Sequence, residues 1–529
     1  MQNLIQSARS RKSQAAHTTL ISETQSDRAR LLYSAPFRRL QQKAQVFSLE
    51  SNSAVRSRLT HSIEVSHIGR YIVAKIYEYM QAEECTSIDK SQKKFWEENI
   101  LSLSNIVETA CLMHDIGNPP FGHFGEAAIV AWAEDADNTQ KLINSVFKIK
   151  NTCDVCLEQY TVLFNDFKNF DGNPQGLRII TKLQGDDGYN GLNLTYTQLV
   201  SFLKYTYSSN DIHEKQDSTL PFSKKIGFFE TESKLINDAW DCLNMEKNKR
   251  HPLSFIMEAS DDISYCISDI EDGIEKGIIS LSHFRDYLLI NLKIICDKYG
   301  DSKLFDILEK SLNYDKENRN INIFLDFKTK LSNKLVELVA NNFIRDYNSY
   351  VKLEVTEQII KEGSLEHSLL KILRNYTSKY LFTSYDAESI ELSGYSIISG
   401  ILKKYEKLLE LPKDKFSILL SENNTDIRKN NLDYHRRLYN RLPARHIKAY
   451  KSAIIGNEID HIESVFAEKE ILNKRLQEQN NLFHNKYLEI DSKVEWKYRI
   501  HLVIDFISGM TDQFAMDFYQ QLKGINVKL

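Results

Sequence analysis

Apolar residues recur at helical spacing along most of this chain, and this pattern constrains its fold more than any other feature. After His61, the residues Val65, Ile68, Ile72 and Ile76 follow one another at intervals of three and four. Such intervals place the side chains on one face of an α-helix, where they must be buried against another element. The same reasoning predicts further helices over residues 102–114, 252–274, 284–298 and 457–478.

Turn-forming residues are too scarce for a fold built from many short strands. The 529 residues include 19 glycines and 8 prolines, well below the average shares of ~7 % and ~5 %. Hydrophobic residues make up 42 % of the chain, which is enough for a sizeable core. No stretch has the ~20 consecutive apolar residues that a transmembrane helix needs. The sequence therefore predicts an all-α protein without a membrane-spanning segment.

Net charge and cysteine usage bear on partners and compartment. The 68 basic and 72 acidic residues give a formal net charge of −4, which does not indicate a nucleic-acid-binding protein as a whole. The 7 cysteines, an odd number, do not indicate a disulfide framework. We interpret Cys153 and Cys156, a lone C-x-x-C without a second pair at zinc spacing, as structural. The first residues also contain no apolar stretch typical of a secretory signal, so we predict a cytoplasmic protein.

His114 and Asp115 are adjacent at the end of a predicted helix, where two neighbouring side chains can turn toward one point. A neutral imidazole and a carboxylate suit a divalent ion, but two ligands alone seldom hold a catalytic metal. His61 and Asp261, on two other predicted helices, are suitable further donors. Two histidines and two carboxylates would leave positions open for water and phosphate. A His-Asp dipeptide by itself is weak support, because it occurs often by chance.

The surrounding sequence resembles the HD-superfamily deoxynucleoside triphosphate triphosphohydrolases, and within them the bacterial dGTPase type. The matching blocks lie in family order along nearly the whole chain, at 26–47, 56–70, 112–126, 172–184, 191–205, 258–277 and 501–515. The resemblance implies an all-α HD phosphohydrolase core, a helical C-terminal region and a divalent ion, Mg²⁺ or Mn²⁺. It also implies hydrolysis of a dNTP, above all dGTP, to deoxynucleoside and inorganic tripolyphosphate by attack of water at the α-phosphorus.

The resemblance assigns the metal ligands residue by residue. They are His61, His114, Asp115 and Asp261. Asp262 is adjacent to Asp261 and chemically equivalent. We choose Asp261 because the family's helix places a tyrosine four residues and an aspartate eight residues after the ligand, here Tyr265 and Asp269. This spacing also keeps the three side chains on one face of the helix.

Catalysis requires a proton for the leaving 5′-oxygen in addition to the metal. The resemblance gives this role to His123, with Glu126 as the group that orients it. A histidine suits the task because its reference pKa lies near neutrality. On the sequence alone, His123 could equally be an ordinary loop histidine.

The same resemblance nominates residues that bind the substrate. Those for the phosphates are Arg58, Asn118, Lys204 and Lys225, with Lys224 as a competing neighbour of Lys225. Those for the sugar are Gln45, Val46, Tyr265 and Asp269. A tyrosine ring packed under the deoxyribose would leave no room for a 2′-hydroxyl, which would exclude ribonucleotides.

We divide the chain into two regions. Residues 1–280 would form the HD core, which contains the metal site from His61 to Asp261 and loops at 83–95 and 206–225. Residues 281–529 would form a helical region that packs on the core and takes part in oligomer contacts. Family habit implies a homo-oligomer, a hexamer or a tetramer.

The tract 433–451 suggests a second class of function. It places Arg436, Arg437, Arg441, Arg445, Lys448 and Lys451 beside Tyr434, Tyr439 and Tyr450. Such a mixture can bind single-stranded nucleic acid or a base, although an ordinary solvated helix pair is equally compatible with it. The alternatives to a dGTPase are therefore a broad-specificity dNTPase and a regulator that binds single-stranded DNA, with the DNA also conceivable as an effector. A hydrolase of nucleoside monophosphates or cyclic nucleotides is disfavoured by the long match outside the metal ligands.

Overall fold

The computed structural model describes residues 1–13, 15, 17–50, 52–83, 85–149, 159–184, 191–211, 220–312, 323–421, 423–456 and 481–525. The interpretation of Cys153 and Cys156 and the helix predicted over 457–478 lie outside these residues. Within them, no helix is long and apolar enough to cross a membrane.

Helices make up the regular structure of the described residues, where the β features are three isolated bridges. The all-α prediction is confirmed. The helices are α1 (Leu20–Leu32), α2 (Ala35–Arg39), α3 (Arg58–Gln81), α4 (Lys90–Met113), α5 (Gly122–Glu134), α6 (Ala136–Phe147), α7 (Asn165–Lys168), α8 (Gly172–Thr181), α9 (Tyr196–Phe202), α10 (Ser233–Cys242), α11 (Pro252–Glu275), α12 (Leu281–Tyr299), α13 (Ser302–Leu312), α14 (Ile323–Arg345), α15 (Tyr347–Val351), α16 (Leu365–Tyr380), α17 (Tyr385–Leu409), α18 (Lys413–Leu420), α19 (Asn424–Lys429), α20 (Asp433–Tyr439), α21 (Ala444–Ile455), α22 (Ser492–Ser508) and α23 (Asp512–Lys523).

The first of two compact units comprises residues 1–116 and 193–393. At its centre α3, α4 and α11 pack on one another, and α14 packs on α3. The apolar stripe predicted after His61 lies in this core, where Val65, Ile72 and Ile76 are fully buried. Burial of that stripe on several sides explains why α3 is stable as a long helix.

The second unit comprises residues 117–192 and 394–529. Within it, α21 packs on α22 and α5 packs on α7. A buried ion pair joins α8 to α22, because Arg178 Nε lies 2.8 Å from Asp505 Oδ1. Each unit thus has its own core and is assembled from segments that are distant in sequence.

Two of the predicted boundaries differ from the observed elements. The loop predicted over 83–95 is already helical from Lys90, since α4 extends toward its N-terminus to bury Trp96 in the core. The two units also do not follow a linear division after residue 280, because α12 to α16 belong to the same unit as residues 1–116. A role of the C-terminal region in oligomer contacts stays a prediction.

Candidate active site

Three helices of the first unit bring two imidazoles and a carboxylate together. His61 lies in the first turn of α3, His114 directly follows α4, and Asp261 lies in the middle of α11. The Nε2 atoms of His61 and His114 lie 3.3 and 3.4 Å from Oδ1 of Asp261. One ligand atom from each residue lies within 4.8 Å of the other two. The three side chains therefore face one common point.

Local structure fixes the orientation of the two histidines. A capping box starts α3, in which the side chains of Ser57 and Thr60 each accept from the backbone N–H of the other, and this holds His61 in an ordered first turn. His114 donates its Nδ1–H to the carbonyl of Cys111 at 2.7 Å. In the neutral imidazole, such a bond selects the tautomer whose Nε2 carries a lone pair, and that atom points toward Asp261.

Asp115 lies next to His61, His114 and Asp261 but is not one of the three residues whose ligand atoms lie within 4.8 Å of one another. Its Oδ2 is 3.6 Å from Nε2 of His114 and accepts a hydrogen bond from Nη1 of Arg58 at 2.7 Å. The structure thus places Asp115 next to the other sequence-predicted ligands, with one oxygen engaged by a buried arginine.

The electrostatic potential around His61, His114, Asp115 and Asp261 is negative. Burial opposes a charge on His114, but Asp115 and Asp261 outweigh it and raise the pKa of His114 to about 9. Burial likewise opposes ionisation of Asp115, yet Arg58 and His114 lower its pKa to about 2. For Asp261, the nearby His114 also outweighs burial and holds its pKa well below the ordinary value. Two ionised carboxylates this close together favour a bound cation.

These residues fit a divalent ion. Nε2 of His114, which faces Asp261, is buried and makes no hydrogen bond within the described residues. An unpaired nitrogen that faces carboxylates is costly to bury unless another group completes it. Imidazole nitrogen and carboxylate oxygen are donors that Mn²⁺ and Mg²⁺ accept.

The cations predicted to bind phosphate lie at different depths of the first unit. Arg58 is buried and Lys204 half-buried, with Nζ of Lys204 3.7 Å from Oε1 of Glu258. Burial opposes the charge of Lys204, but Glu258 and Asp261 raise its pKa above the ordinary value. Lys225 is half-buried, whereas Lys224 is exposed. Of these two neighbours, Lys225 is therefore the one that is partly enclosed by the protein.

The residues predicted to bind the sugar include unpartnered polar atoms. Oε1 of Gln45 and both carboxylate oxygens of Asp269 are buried without a hydrogen bond in the described part of the chain. Burial and the nearby Asp272 raise the pKa of Asp269 well above its ordinary value. Val46 and Tyr265 are partly buried against the hydrophobic core of the first unit. Buried acceptors of this kind are suited to a hydroxyl group of a ligand.

The predicted catalytic pair lies in the second unit, in the first turns of α5. Nδ1 of His123 is 2.8 Å from Oε2 of Glu126, and the side chain of His123 is 83 % exposed while that of Glu126 is 11 % exposed. Asn118, predicted to contact phosphate, lies half-buried in the loop before this helix. The geometry matches an imidazole that carries a proton and is oriented by a carboxylate.

Sequence reasoning missed a group that holds Lys204. Glu258 lies between Lys204 and Arg250, whose Nη1 is 2.6 Å from Oε2 of Glu258. The guanidinium of Arg250 lies 4.3 Å from the ring centre of Phe255. The available signal was helical spacing, since Glu258 precedes Asp261 by three residues and so shares its face of α11.

The tract 433–451 has two buried tyrosines, whereas Arg437, Arg441, Arg445 and Lys448 are exposed. Tyr439 and Tyr450 are buried, and Nη1 of Arg436 donates to the carbonyl of Leu419 at 2.9 Å. Tyr434 is 48 % exposed. Two of the three tyrosines are thus unable to stack on bases as the tract stands.

Two comparisons with known proteins bear on this site. Residues 58–156 match the HD domain family. The chain is 33 % identical over 522 residues to a protein of Pseudomonas aeruginosa named "Probable deoxyguanosinetriphosphate triphosphohydrolase", and the match covers 96 % of this chain and 94 % of the relative. It is also similar to proteins named "Deoxyguanosinetriphosphate triphosphohydrolase" from Yersinia enterocolitica, at 33 % identity, and Yersinia pestis, at 34 %. Each of these matches covers 94 % of this chain and 93 % of the relative.

Proposed function

Because this chain belongs to the HD-domain family of deoxyguanosinetriphosphate triphosphohydrolases, we propose that it hydrolyses dGTP to deoxyguanosine and inorganic tripolyphosphate. The observation that carries the proposal is the convergence of His61, His114 and Asp261 on one point. In the reaction, a water oxygen bonds to the α-phosphorus, the bond from phosphorus to the 5′-oxygen breaks, and the 5′-oxygen takes a proton. A hydrolase that acts on other dNTPs as well is the alternative that shares this chemistry.

His61, His114, Asp115 and Asp261 would hold the divalent ion, Mg²⁺ or Mn²⁺. A bound divalent ion supplies charge neutralisation on phosphate and lowers the pKa of an attacking water. The residues themselves provide orientation, since the bond from His114 to the carbonyl of Cys111 leaves Nε2 as the nitrogen that would bind the ion.

The basic residues of the first unit would bind the triphosphate. Arg58, Lys204 and Lys225 supply positive charge, and Asn118 supplies an amide for the α-phosphate. Fixed cations of this kind stabilise the charge that develops on transferring phosphoryl groups. The carboxylate of Glu258 beside Lys204 keeps that lysine charged and holds it in place.

We assign the leaving-group proton to His123. Its Nδ1 is held by Glu126 at 2.8 Å, which leaves Nε2 as the atom that exchanges a proton. For the sugar, Gln45 and Asp269 offer acceptors to the 3′-hydroxyl, while Val46 and Tyr265 would pack against the ring and exclude a 2′-hydroxyl.

Product analysis tests the proposal directly. Purified protein would be incubated with each of the four dNTPs and with GTP in the presence of Mg²⁺ or Mn²⁺, and the products separated by chromatography. We expect deoxyguanosine and tripolyphosphate from dGTP. Cleavage of all four dNTPs would favour the broad-specificity alternative, and release of single phosphates or diphosphate would contradict the proposed reaction.

Variants of the predicted ligands connect that activity to the site. His114→Ala and Asp115→Ala should each abolish tripolyphosphate release and weaken Mn²⁺ binding measured on the protein alone. The matched control is His67→Ala, an exposed histidine six residues after His61 on the same helix, which should behave as wild type. Full activity in either ligand variant would contradict the proposed metal site.

Assembly, effectors and compartment are also part of the proposal. We propose a cytoplasmic homo-oligomer, a hexamer or a tetramer, with single-stranded DNA as an effector. Light scattering tests the assembly, and DNA binding at low salt tests the effector. DNA binding that persists in His114→Ala without any nucleotide hydrolysis by wild type would instead favour a regulator.

A further inference from the structure

The carboxylate of Glu126 has a second partner besides His123. While Oε2 faces Nδ1 of His123 at 2.8 Å, Oε1 accepts a hydrogen bond from the backbone N–H of Gly172 at 2.9 Å. The bond to Gly172 is buried, whereas the imidazole is largely exposed. The amide therefore anchors the carboxylate from inside the protein, and the carboxylate in turn holds the histidine at the surface.

The amide belongs to the first turn of α8, which the side chain of Asp171 caps by accepting from the N–H of Asn173 at 2.9 Å. Backbone N–H groups at a helix N-terminus are free of intrahelical partners and carry partial positive charge. A side-chain oxygen can complete such an N–H, and Oε1 of Glu126 does so here. The same contact prevents rotation of Glu126 away from His123.

Only glycine allows this approach. A Cβ on Gly172 would lie 1.8 Å from Oδ1 of Asn118 and 3.3 Å from Oε1 of Glu126. On the facing loop, a Cβ on Gly117 would lie 2.1 Å from the carbonyl oxygen of Gly172 and from the nitrogen of Gly176. The first turn of α8 thus meets the loop before α5 backbone to backbone.

We propose that Gly172 is a positioning residue for His123, acting through Glu126. Its N–H holds one carboxylate oxygen so that the other receives Nδ1–H of the imidazole, and this directs Nε2 toward the leaving group. The inference rests on the proposed function for its catalytic consequence, although the hydrogen-bonded chain itself does not depend on which nucleotide is hydrolysed.

Two substitutions compare a Cβ alone with loss of the N–H at this position. Gly172→Ala and Gly172→Pro both add a Cβ that must displace the amide of Asn118, but only proline replaces the donor with a Cδ that pushes Oε1 of Glu126 away. Proline is well tolerated in the first position of a helix. The preceding Asp171 has φ −152° and ψ 156°, the extended conformation that a residue before proline adopts. Proline is therefore compatible with the backbone here.

Kinetics of dGTP hydrolysis compare the two variants. Because a positioned general acid contributes ~10²–10⁴-fold to a rate, we expect kcat of Gly172→Pro to be about tenfold or more below that of Gly172→Ala, with similar KM. In a His123→Ala background the two variants should have equal kcat. Equal losses in the histidine-containing protein, or an undiminished difference in the His123→Ala background, would overturn the proposal.

A chemical probe gives a readout that needs no activity. Diethyl pyrocarbonate modifies neutral imidazoles, and the exposed His67 serves as an internal reference by mass spectrometry. An anchored Glu126 covers Nδ1 of His123, so only Nε2 remains open to the reagent. We expect at least twofold faster modification of His123 in Gly172→Pro than in Gly172→Ala. Equal rates would overturn the inference even if wild type hydrolyses dGTP.

Hydrogen exchange covers the case in which Gly172→Pro does not fold. The Gly172 amide should exchange faster in Glu126→Ala than in wild type, whereas the amides of α22 should not change. Unchanged exchange at Gly172 would overturn the proposal. If wild type releases no tripolyphosphate from any dNTP, the proposed function fails, and the modification and exchange experiments still decide the inference.

Discussion

At the scale of single residues, the candidate site contains polar groups that folding leaves incomplete. Both oxygens of Asp269 and Oε1 of Gln45 are buried without hydrogen bonds in the described part of the chain. Each such group costs ~1–3 kcal/mol. A ligand hydroxyl would satisfy them, so the free energy lost in folding can be recovered on binding.

Asp269→Asn should stabilise the protein and impair its function. The pKa of Asp269 is raised well above its ordinary value of 3.8, so the folded state retains a proton that the unfolded state releases, and stability falls as pH rises above that value. Asparagine removes this dependence. We expect the free energy of unfolding at pH 8, measured in urea, to rise by ~1 kcal/mol or more, while kcat/KM for dGTP falls.

The control for that substitution is Asp238→Asn, since Asp238 is 44 % exposed in a surface pair with Lys234. We expect its stability to stay within ~0.5 kcal/mol of wild type. An Asp269→Asn protein less stable than wild type at pH 8 would contradict the raised pKa.

The candidate site residues could be proposed from the sequence, but their geometry could not. His61 and Asp261 are separated by 200 positions, and no local pattern states that two such residues meet. The match to family blocks supplied that pairing. The amide of Gly172 was beyond sequence reasoning because a backbone donor has no residue type of its own.

At the scale of elements, α11 carries much of the site on one face. Glu258, Asp261, Tyr265 and Asp269 follow at intervals of three and four residues, which places them along one side of the helix. The extent of this helix was predictable, because its apolar residues are periodic: the predicted 252–274 compares with Pro252–Glu275. Periodicity does not predict which residue pairs with each polar side chain, for example that Arg250 pairs with Glu258.

Glu258→Gln should loosen Lys204 on its neighbouring element. The carboxylate raises the pKa of Lys204 and lies 3.7 Å from its Nζ, so its removal frees the lysine to rotate. We expect KM for dGTP and the inhibition constant of added tripolyphosphate to rise ~3–10-fold, because a lysine that is free to rotate makes a weaker charged contact with phosphate. Glu258→Asp should restore part of the affinity, whereas an unchanged inhibition constant would contradict this role.

Helix caps offer a second prediction at this scale. Ser57 caps α3 and Ser280 caps α12, each accepting from the N–H three residues later. Replacement of either serine by alanine should cost ~1 kcal/mol of stability, measured by thermal unfolding. Only Ser57→Ala should also lower kcat/KM, because the first turn of α3 carries Arg58 and His61. Equal activity in both variants would mean that the cap does not position these side chains.

At the scale of the whole molecule, each unit contains a buried histidine that must remain neutral. His251 donates Nε2–H to the carbonyl of Leu4 at 3.0 Å in the first unit, and His501 lies 3.1 Å from Asp166 in the second. Burial lowers the pKa of each to about 4. Above pH 6.5 the two histidines are neutral in both the folded and the unfolded chain. Between pH 6.5 and about 4 they take up a proton in the unfolded chain only.

Stability should therefore fall as pH decreases from 6.5 to about 4. The lowered pKa corresponds to about 3 kcal/mol for each histidine. Urea unfolding of His251→Gln and His501→Gln across this range should show a shallower pH dependence than wild type. His67→Gln, at an exposed position, should retain the wild-type dependence, and a full dependence in both buried variants would contradict the assignment.

The division into two interleaved units was not predictable from the chain. Helical periodicity states which face of a segment is buried but not which distant segment covers it. A linear division after residue 280 assigns neighbouring segments of the chain to the same region. The observed units instead pair residues 1–116 with 193–393 and residues 117–192 with 394–529.

Because the segments of the two units alternate along the chain, the two units are completed at different times during translation. The first unit has all its segments once residue 393 is translated, whereas residues 117–192 await partners that begin at residue 394. At ~5–20 residues per second, that wait is roughly 10–40 s. A nascent chain stalled near residue 393 should therefore hold one finished unit and one unfinished segment, and α5 to α8 are the part that a chaperone would need to shield.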